Sequence, residues 1–180
     1  MDVISHALWA VAAGKAAQPK IKKKLNFWFT AWWGAFPDLF AFVIPFIWMG
    51  AEIISGRASV FRFHPEGNEP PSSELLPIYN LASSLYNVSH SLFVFALAFG
   101  LARFFLKRVP WEMGGWLLHI LMDIPTHTYE FFPTPIFWPF SAHKFSGIHW
   151  AQWWFLILDY SALILVFYLL RKRDRKNRLA

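Results

Sequence analysis

Residues 27–51 read FWFTAWWGAFPDLFAFVIPFIWMGA, an unbroken apolar run whose single ionisable group is Asp38. A helix needs roughly 20 residues to cross ~30 Å of hydrocarbon, so this stretch is long enough to span a bilayer. Lipid offers no partners for backbone N–H and C=O groups, and a helix satisfies them internally. Further apolar runs follow the same pattern at residues 3–17, 88–106, 112–132 and 153–170. The first is short for a span and suits a tilted, re-entrant or interfacial helix. Overall, 56% of the 180 residues are hydrophobic and 16% are charged. Soluble domains carry about 25% charged residues, so a water-soluble fold is disfavoured. The 11 Trp and 20 Phe suit packing against lipid and its polar boundary. The expected fold is all-α, a multi-pass transmembrane helical bundle of four to five apolar helices. It forms one membrane-embedded domain over residues 1–170, with a disordered basic cytoplasmic tail at 171–180.

The net charge of +6 is gathered between the apolar runs, at Lys20, Lys22, Lys23 and Lys24, at Lys107 and Arg108, and from Arg171 to Arg178. Clusters placed this way set membrane orientation and meet anionic headgroups, so lipid rather than nucleic acid is the expected partner. The positive-inside rule puts residues 18–26, 107–111 and 171–180 on the cytoplasmic side, and these assignments agree in parity. Residues 52–87 and 133–152 then face outward, with turn formers such as Pro70-Pro71 and Ser146-Gly147. The expected location is the cell (inner) membrane with the C-terminus cytoplasmic. The run at 3–17 precedes its lysines, the reverse of a secretory signal, and is expected to stay in the mature protein. With no cysteine, neither a disulfide nor a thiolate metal site is possible, and any metal must use His, Asp or Glu.

Ionisable groups inside apolar spans cost about 3 kcal/mol each on insertion scales, and so are usually paired or functional. Those singled out are His6, Asp38, His90, His119, Asp123 and His127. Counting ~1.5 Å per residue from the cytoplasmic ends puts His6, Asp38 and Asp123 roughly 16 Å deep, and His119, His127 and His90 about 10, 22 and 24 Å. Four separate segments thus place polar groups in one slab from the midplane to the outer leaflet. His119-Ile-Leu-Met-Asp123 places an imidazole and a carboxylate on one helix face, where they can grip one ion or simply hydrogen bond. Pro37 removes a backbone donor beside Asp38, which suits ion binding or a kink capped by Asp38. Ser89 is a candidate helix N-cap next to His90. Pro125 ends regular hydrogen bonding, which puts His127 on a turn. His64, His143 and His149 read as solvated loop residues, and Asn87-Val-Ser89 is a weak sequon at a membrane boundary.

The order Met1-Asp2-Val3-Ile4-Ser5-His6, Pro37-Asp38, His90-Ser91, His119-Ile-Leu-Met-Asp123 and Trp138-Pro139-Phe140 resembles a bacterial and archaeal family of inner-membrane, LexA-binding, metal-dependent hydrolases, over about residues 1–170. That family is in turn similar to zinc-dependent phospholipase C and the zinc single-strand nucleases, whose ligands run His, Asp, His, then H-x-x-x-D. The resemblance implies His6, Asp38, His90, His119 and Asp123 as ligands, with Asp123 shared between two ions. Those enzymes also use a free N-terminal amine and an H-x-x-x-E pair. This chain has no such pair and its start reads as unprocessed, so a third metal is not expected.

Together these features predict a membrane-bound hydrolase holding one or two divalent ions, with zinc suited to His and Asp ligands. The metal lowers the pKa of a bound water and polarises an ester oxygen, and Asp38 is the candidate to orient or deprotonate that water. Arg57, Arg62 and Lys144 in the outward segments suit a phosphoester on a lipid headgroup or a small molecule. Two other classes use the same residues: a small transporter or proton relay, and a scaffold whose helices a metal staples together.

Overall fold

In the computed structural model, which describes residues 1–57 and 76–179, the chain is all-helical with no strands among those residues. The helices are α1 (Val3–Ala17), α2 (Phe27–Ile54), α3 (Leu76–Ser89), α4 (Leu92–Leu106), α5 (Gly114–Thr126) and α6 (Trp153–Leu179). Their starts follow local chemistry. Asp2 caps α1 by accepting from the Ile4 and Ser5 amides, Asn26 caps α2 through Phe29, and Ser91 caps α4 through Phe93 and Val94. Single turns of 3-10 helix, Gln18–Lys20 and Trp111–Met113, tighten the connections before α2 and α5.

Helices α2 and α6 are long and apolar enough to cross a membrane. Helices α3 and α4 make a third candidate span if they are counted as one, bent by 58° at their break. Among the described residues, two helices, or three if the bent pair counts as one, therefore meet the length and composition of a span, where four to five apolar helices were expected. The run at 88–106 is split because Ser91 caps a new helix while Ser89 and His90 turn inward. Helix α3 occupies part of what was expected to be an outward loop, α5 stops short of residue 132, and residues 171–179 continue α6 instead of forming a disordered tail. Pro70-Pro71, Arg62 and His64 lie outside the described residues. Along α2 and α6, Phe40, Val43, Ile44, Ile47, Ile157, Leu158, Ile164 and Leu165 face outward and are exposed. Apolar side chains presented over two whole helices suit lipid rather than water.

The three basic segments meet at one end of the bundle. Lys20 and Leu25 line the same hollow as Trp111 and Gly114, and Arg173 donates to the Lys15 and Ala16 carbonyls at the end of α1. At the opposite end residues 133–152 fold back onto the bundle rather than hanging as a loop. Leu92 N donates to the Ile136 carbonyl, Ser91 Oγ to Trp138, and Gly147 N to His127. Gly147 passes so close to Pro125 that any Cβ would overlap its carbonyl.

Between these ends α1, α2 and α5 cross on small residues. A Cβ on Gly34 would lie 2.6 Å from the Ala10 Cβ and 2.7 Å from the His6 carbonyl oxygen, and one on Gly115 would lie 2.6 Å from the Thr30 oxygen. Ala10, Gly34 and Gly115 each stand four residues, one helical turn, toward the basic end from His6, Asp38 and His119. Close packing of three backbones therefore seals the floor beneath those three side chains. Beside the crossing, Phe95, Met113, Trp116 and Ile120 form an apolar cluster, with Trp33 stacked on Trp116 at 5.6 Å. Gly34→Ala should destabilise the fold by about 1–3 kcal/mol through overpacking. Gly50→Ala on the same helix, where a Cβ meets nothing within 4 Å, should not. Thermal unfolding of both variants in detergent checks this.

Candidate metal centre

Pro37 has no N–H for the carbonyl one turn back and its ring crowds that turn, so this part of α2 offers carbonyls to side chains. Ser89 Oγ donates to the Pro37 carbonyl at 3.0 Å, and His119 Nδ1 to the Gly34 carbonyl at 2.7 Å. Helices α3 and α5 are thereby fastened to the turn that carries Asp38. Trp116 Nε1 adds a bond to the Ser89 carbonyl at 2.6 Å, holding the α3–α4 break against α5.

The same bonds set the imidazole tautomers. His119 Nδ1 faces the Gly34 carbonyl, His90 Nδ1 lies 3.2 Å from the Tyr86 carbonyl, and His127 Nδ1 lies 3.0 Å from the Phe132 carbonyl. A carbonyl only accepts, so each ring is assigned its proton on Nδ1 and turns a bare Nε2 inward. Ser89 gives its own proton to Pro37 and so can accept from His90 Nδ1 at 2.9 Å. Imidazoles oriented this way by a second partner are typical of metal ligands.

What these rings surround is a group of acceptors. His90 Nε2 and His119 Nε2 stand 3.0 Å apart. Asp123 Oδ2 is 3.3 and 3.2 Å from them, and Asp38 Oδ1 is 3.6 Å from each. One ligand atom from each of Asp38, His90, His119 and Asp123 lies within 4.8 Å of the other three. The side chains of His90, His119 and Asp123 are fully buried, and Asp123 Oδ2 receives no hydrogen bond. Lone pairs crowded together away from water repel one another unless a cation joins them, and one shared proton would serve only two of the four. Nitrogen and oxygen ligands at ~2.0–2.1 Å from a tetrahedral ion sit about 3.3 Å apart, which matches the four distances to the histidines.

Asp123 turns its other oxygen toward a second set. Its Oδ1 lies 2.9 Å from His6 Nε2, 2.8 Å from the Met1 amine and 3.7 Å from His127 Nε2. The Met1 nitrogen is 3.4 Å from His127 Nε2. Neither His6 nitrogen is aligned for a hydrogen bond, although the ring stacks on His119 at 3.6 Å. All six predicted residues therefore converge: four form the tight group, and His6 and His127 join it through Asp123.

Several expectations need correction. Ser89 is not an N-cap, since it ends α3 while Ser91 caps α4. Asp38 does not cap a second half-helix, because α2 runs through Pro37 without a break. The start of the chain, set aside in the sequence, brings the Met1 amine into the centre. Arg57 is engaged on the surface by Glu52 at 2.9 Å, and His143 and His149 take no part in the cluster. Asp159 was missed altogether, although it is a lone carboxylate in the apolar run 153–170. Tyr86, which stacks on His90 at 3.6 Å and meets His127 Nδ1 through its hydroxyl, was visible only as an aromatic residue four positions before His90.

The fold and the centre give an all-helical chain with two or three candidate membrane spans and a buried Asp/His/His/Asp cluster whose ligand atoms lie close enough to share a divalent cation. Comparison with protein-family models, curated proteins and solved structures gives no match for this chain. His119→Ala and Asp123→Ala should each strip bound divalent metal from detergent-purified protein, while His143→Ala should leave it in place. Elemental analysis of dialysed samples reads the difference. Acid should release the metal as well, because these ligands bind only when deprotonated.

Proposed function

We propose that the protein is a membrane-bound metal-dependent hydrolase acting on a phosphoester or a lipid-like ester. The observation that carries this reading is the group of four buried acceptors, two imidazole Nε2 atoms and two carboxylates, lying 3.0–3.6 Å from one another at the histidine contacts. Zinc is the ion suited to such a donor set, and Asp123, with an oxygen toward each set of side chains, suits a carboxylate bridging two ions. When bound, the metal supplies a water acidic enough to act as nucleophile and a Lewis acid for the ester oxygen.

The protein's own residues divide the remaining work. The side chains of His90, His119 and Asp123 are fully buried, which suits holding the ion. Asp38 has the one ligand side chain of the four with residual exposure, 7% against 0% for the others. An exposed edge is where substrate must arrive, so Asp38 is the group to orient a water or accept its proton. The basic segments at the opposite end favour a cytoplasmic C-terminus in a cell membrane, with the centre reached from the outer half of the bilayer and membrane lipid as the nearest substrate pool.

Purified protein should cleave a phosphoester in mixed micelles only when metal is present, and a chelator should abolish the activity. Asp38→Asn, assayed at saturating metal, should lower kcat by about 10²–10⁴-fold, the range for a positioned general base. Metal bound at full stoichiometry without turnover of any ester would favour the stapled scaffold, and metal-dependent ion flux in liposomes the transporter.

A further inference from the structure

Helix α6 gives no residue to the four-acceptor group, yet it carries a carboxylate deep in an apolar face. Asp159 is buried at 8% exposure between Leu158 and Tyr160 on a helix otherwise fit to cross a membrane. Its two oxygens have separate partners on α1. Ser5 Oγ donates to Oδ2 at 2.5 Å and Trp9 Nε1 donates to Oδ1 at 2.8 Å. The next residue, Tyr160, donates its hydroxyl at 3.0 Å to Asp2 Oδ1, the oxygen that also accepts the Ile4 and Ser5 amides at the start of α1. Neither Asp159 oxygen meets a basic side chain among the described residues. A carboxyl group buried in an apolar span among neutral donors is costly to desolvate and unsuited to mere adhesion between helices, where apolar contact serves.

The three α1 residues in this grip bracket one side chain. Asp2 and Ser5 precede His6 and Trp9 follows it by three, so the face of α1 held by α6 fixes the rotation of α1 about its axis. His6 projects from the neighbouring face onto Asp123 Oδ1 and stacks on His119. Its own ring nitrogens have no aligned hydrogen-bond partner, unlike those of His90, His119 and His127, which are each steered by a backbone carbonyl. The His6 ring therefore takes its orientation from the helix that bears it.

We infer that Asp159 is a positioning residue that, through Ser5 and Trp9, sets α1 so that His6 faces the Asp123 carboxylate, making α6 the outer brace of the metal centre. This rests on the metal-binding reading given above. The test compares wild type with Asp159→Ala, Asp159→Asn, His6→Ala and the Asp159→Ala/His6→Ala double variant, all as full-length protein in detergent with helix content checked by circular dichroism. Loss of such a supporting partner should weaken cobalt(II) affinity about 10–100-fold. The visible cobalt spectrum of Asp159→Ala should move toward that of His6→Ala, and the double variant should bind no more weakly than His6→Ala alone. Asp159→Asn, which keeps one acceptor for Trp9, should fall between wild type and Asp159→Ala. Unchanged affinity and spectrum in Asp159→Ala, or losses that multiply in the double variant, would overturn the assignment. If wild type takes up no cobalt, the metal reading fails on its own. The positioning role is then decided by the imidazole nitrogen resonances of His6 in ¹⁵N-histidine-labelled protein, which must shift in Asp159→Ala if it is right and stay fixed if it is wrong.

Discussion

The structure is organised around the Asp123 carboxylate, which is fully buried and holds one oxygen toward His90 and His119 and the other toward His6 and the Met1 amine. A carboxylate removed from both water and lipid headgroups has to be surrounded by compensating groups, and four helices of this chain contribute to that shell. The bundle's least usual features follow from the requirement. Small residues bring α1, α2 and α5 within backbone contact, a proline opens α2 to side-chain donors, and the α3–α4 break turns His90 inward where an unbroken helix would carry it past.

Three of the four imidazoles near the centre are oriented by a backbone carbonyl. His119 borrows a carbonyl from the turn disturbed by Pro37, His90 a carbonyl from the preceding turn of α3, and His127 the carbonyl of Phe132, a residue at positive φ just beyond α5. These contacts commit the Nδ1 protons, leaving the Nε2 lone pairs of His90 and His119 facing each other and that of His127 facing the Met1 amine. Apolar packing alone gives no reason for that arrangement, and a neutral hydrogen-bonded core would pair the rings donor to acceptor. A cation shared by Asp38, His90, His119 and Asp123 would account for the contacts among those four.

Much of this was legible in the sequence, for definite reasons. Ionisable residues stand out against an apolar background, so Asp38, His119 and Asp123 could be picked from the chain, and the spacing of His119 and Asp123 put them on one face. Helix α2 was set by composition and length. Two of the failures come from contacts between distant segments. The split at Ser89-His90-Ser91 depends on which of two serines caps a helix: Ser91 does so, while Ser89 donates its hydroxyl to the Pro37 carbonyl 52 residues earlier. Helix α3 has a moderately polar sequence next to turn formers and resembles a loop until Tyr86 and Ser89 are seen to face α2 and α5. Asp159 was hidden by a different effect: with no second polar residue at helical spacing in its own segment, its partners Ser5 and Trp9 become apparent only when α6 lies along α1.

If the crowded acceptors hold a cation, X-ray absorption fine structure of the zinc-loaded protein will report its ligands and their distances without requiring turnover. The spectrum should show nitrogen and oxygen ligands at ~2.0–2.1 Å with the outer-shell scattering of two or more imidazoles. An all-oxygen shell without imidazole scattering, unchanged in His90→Ala and His119→Ala, would contradict that role.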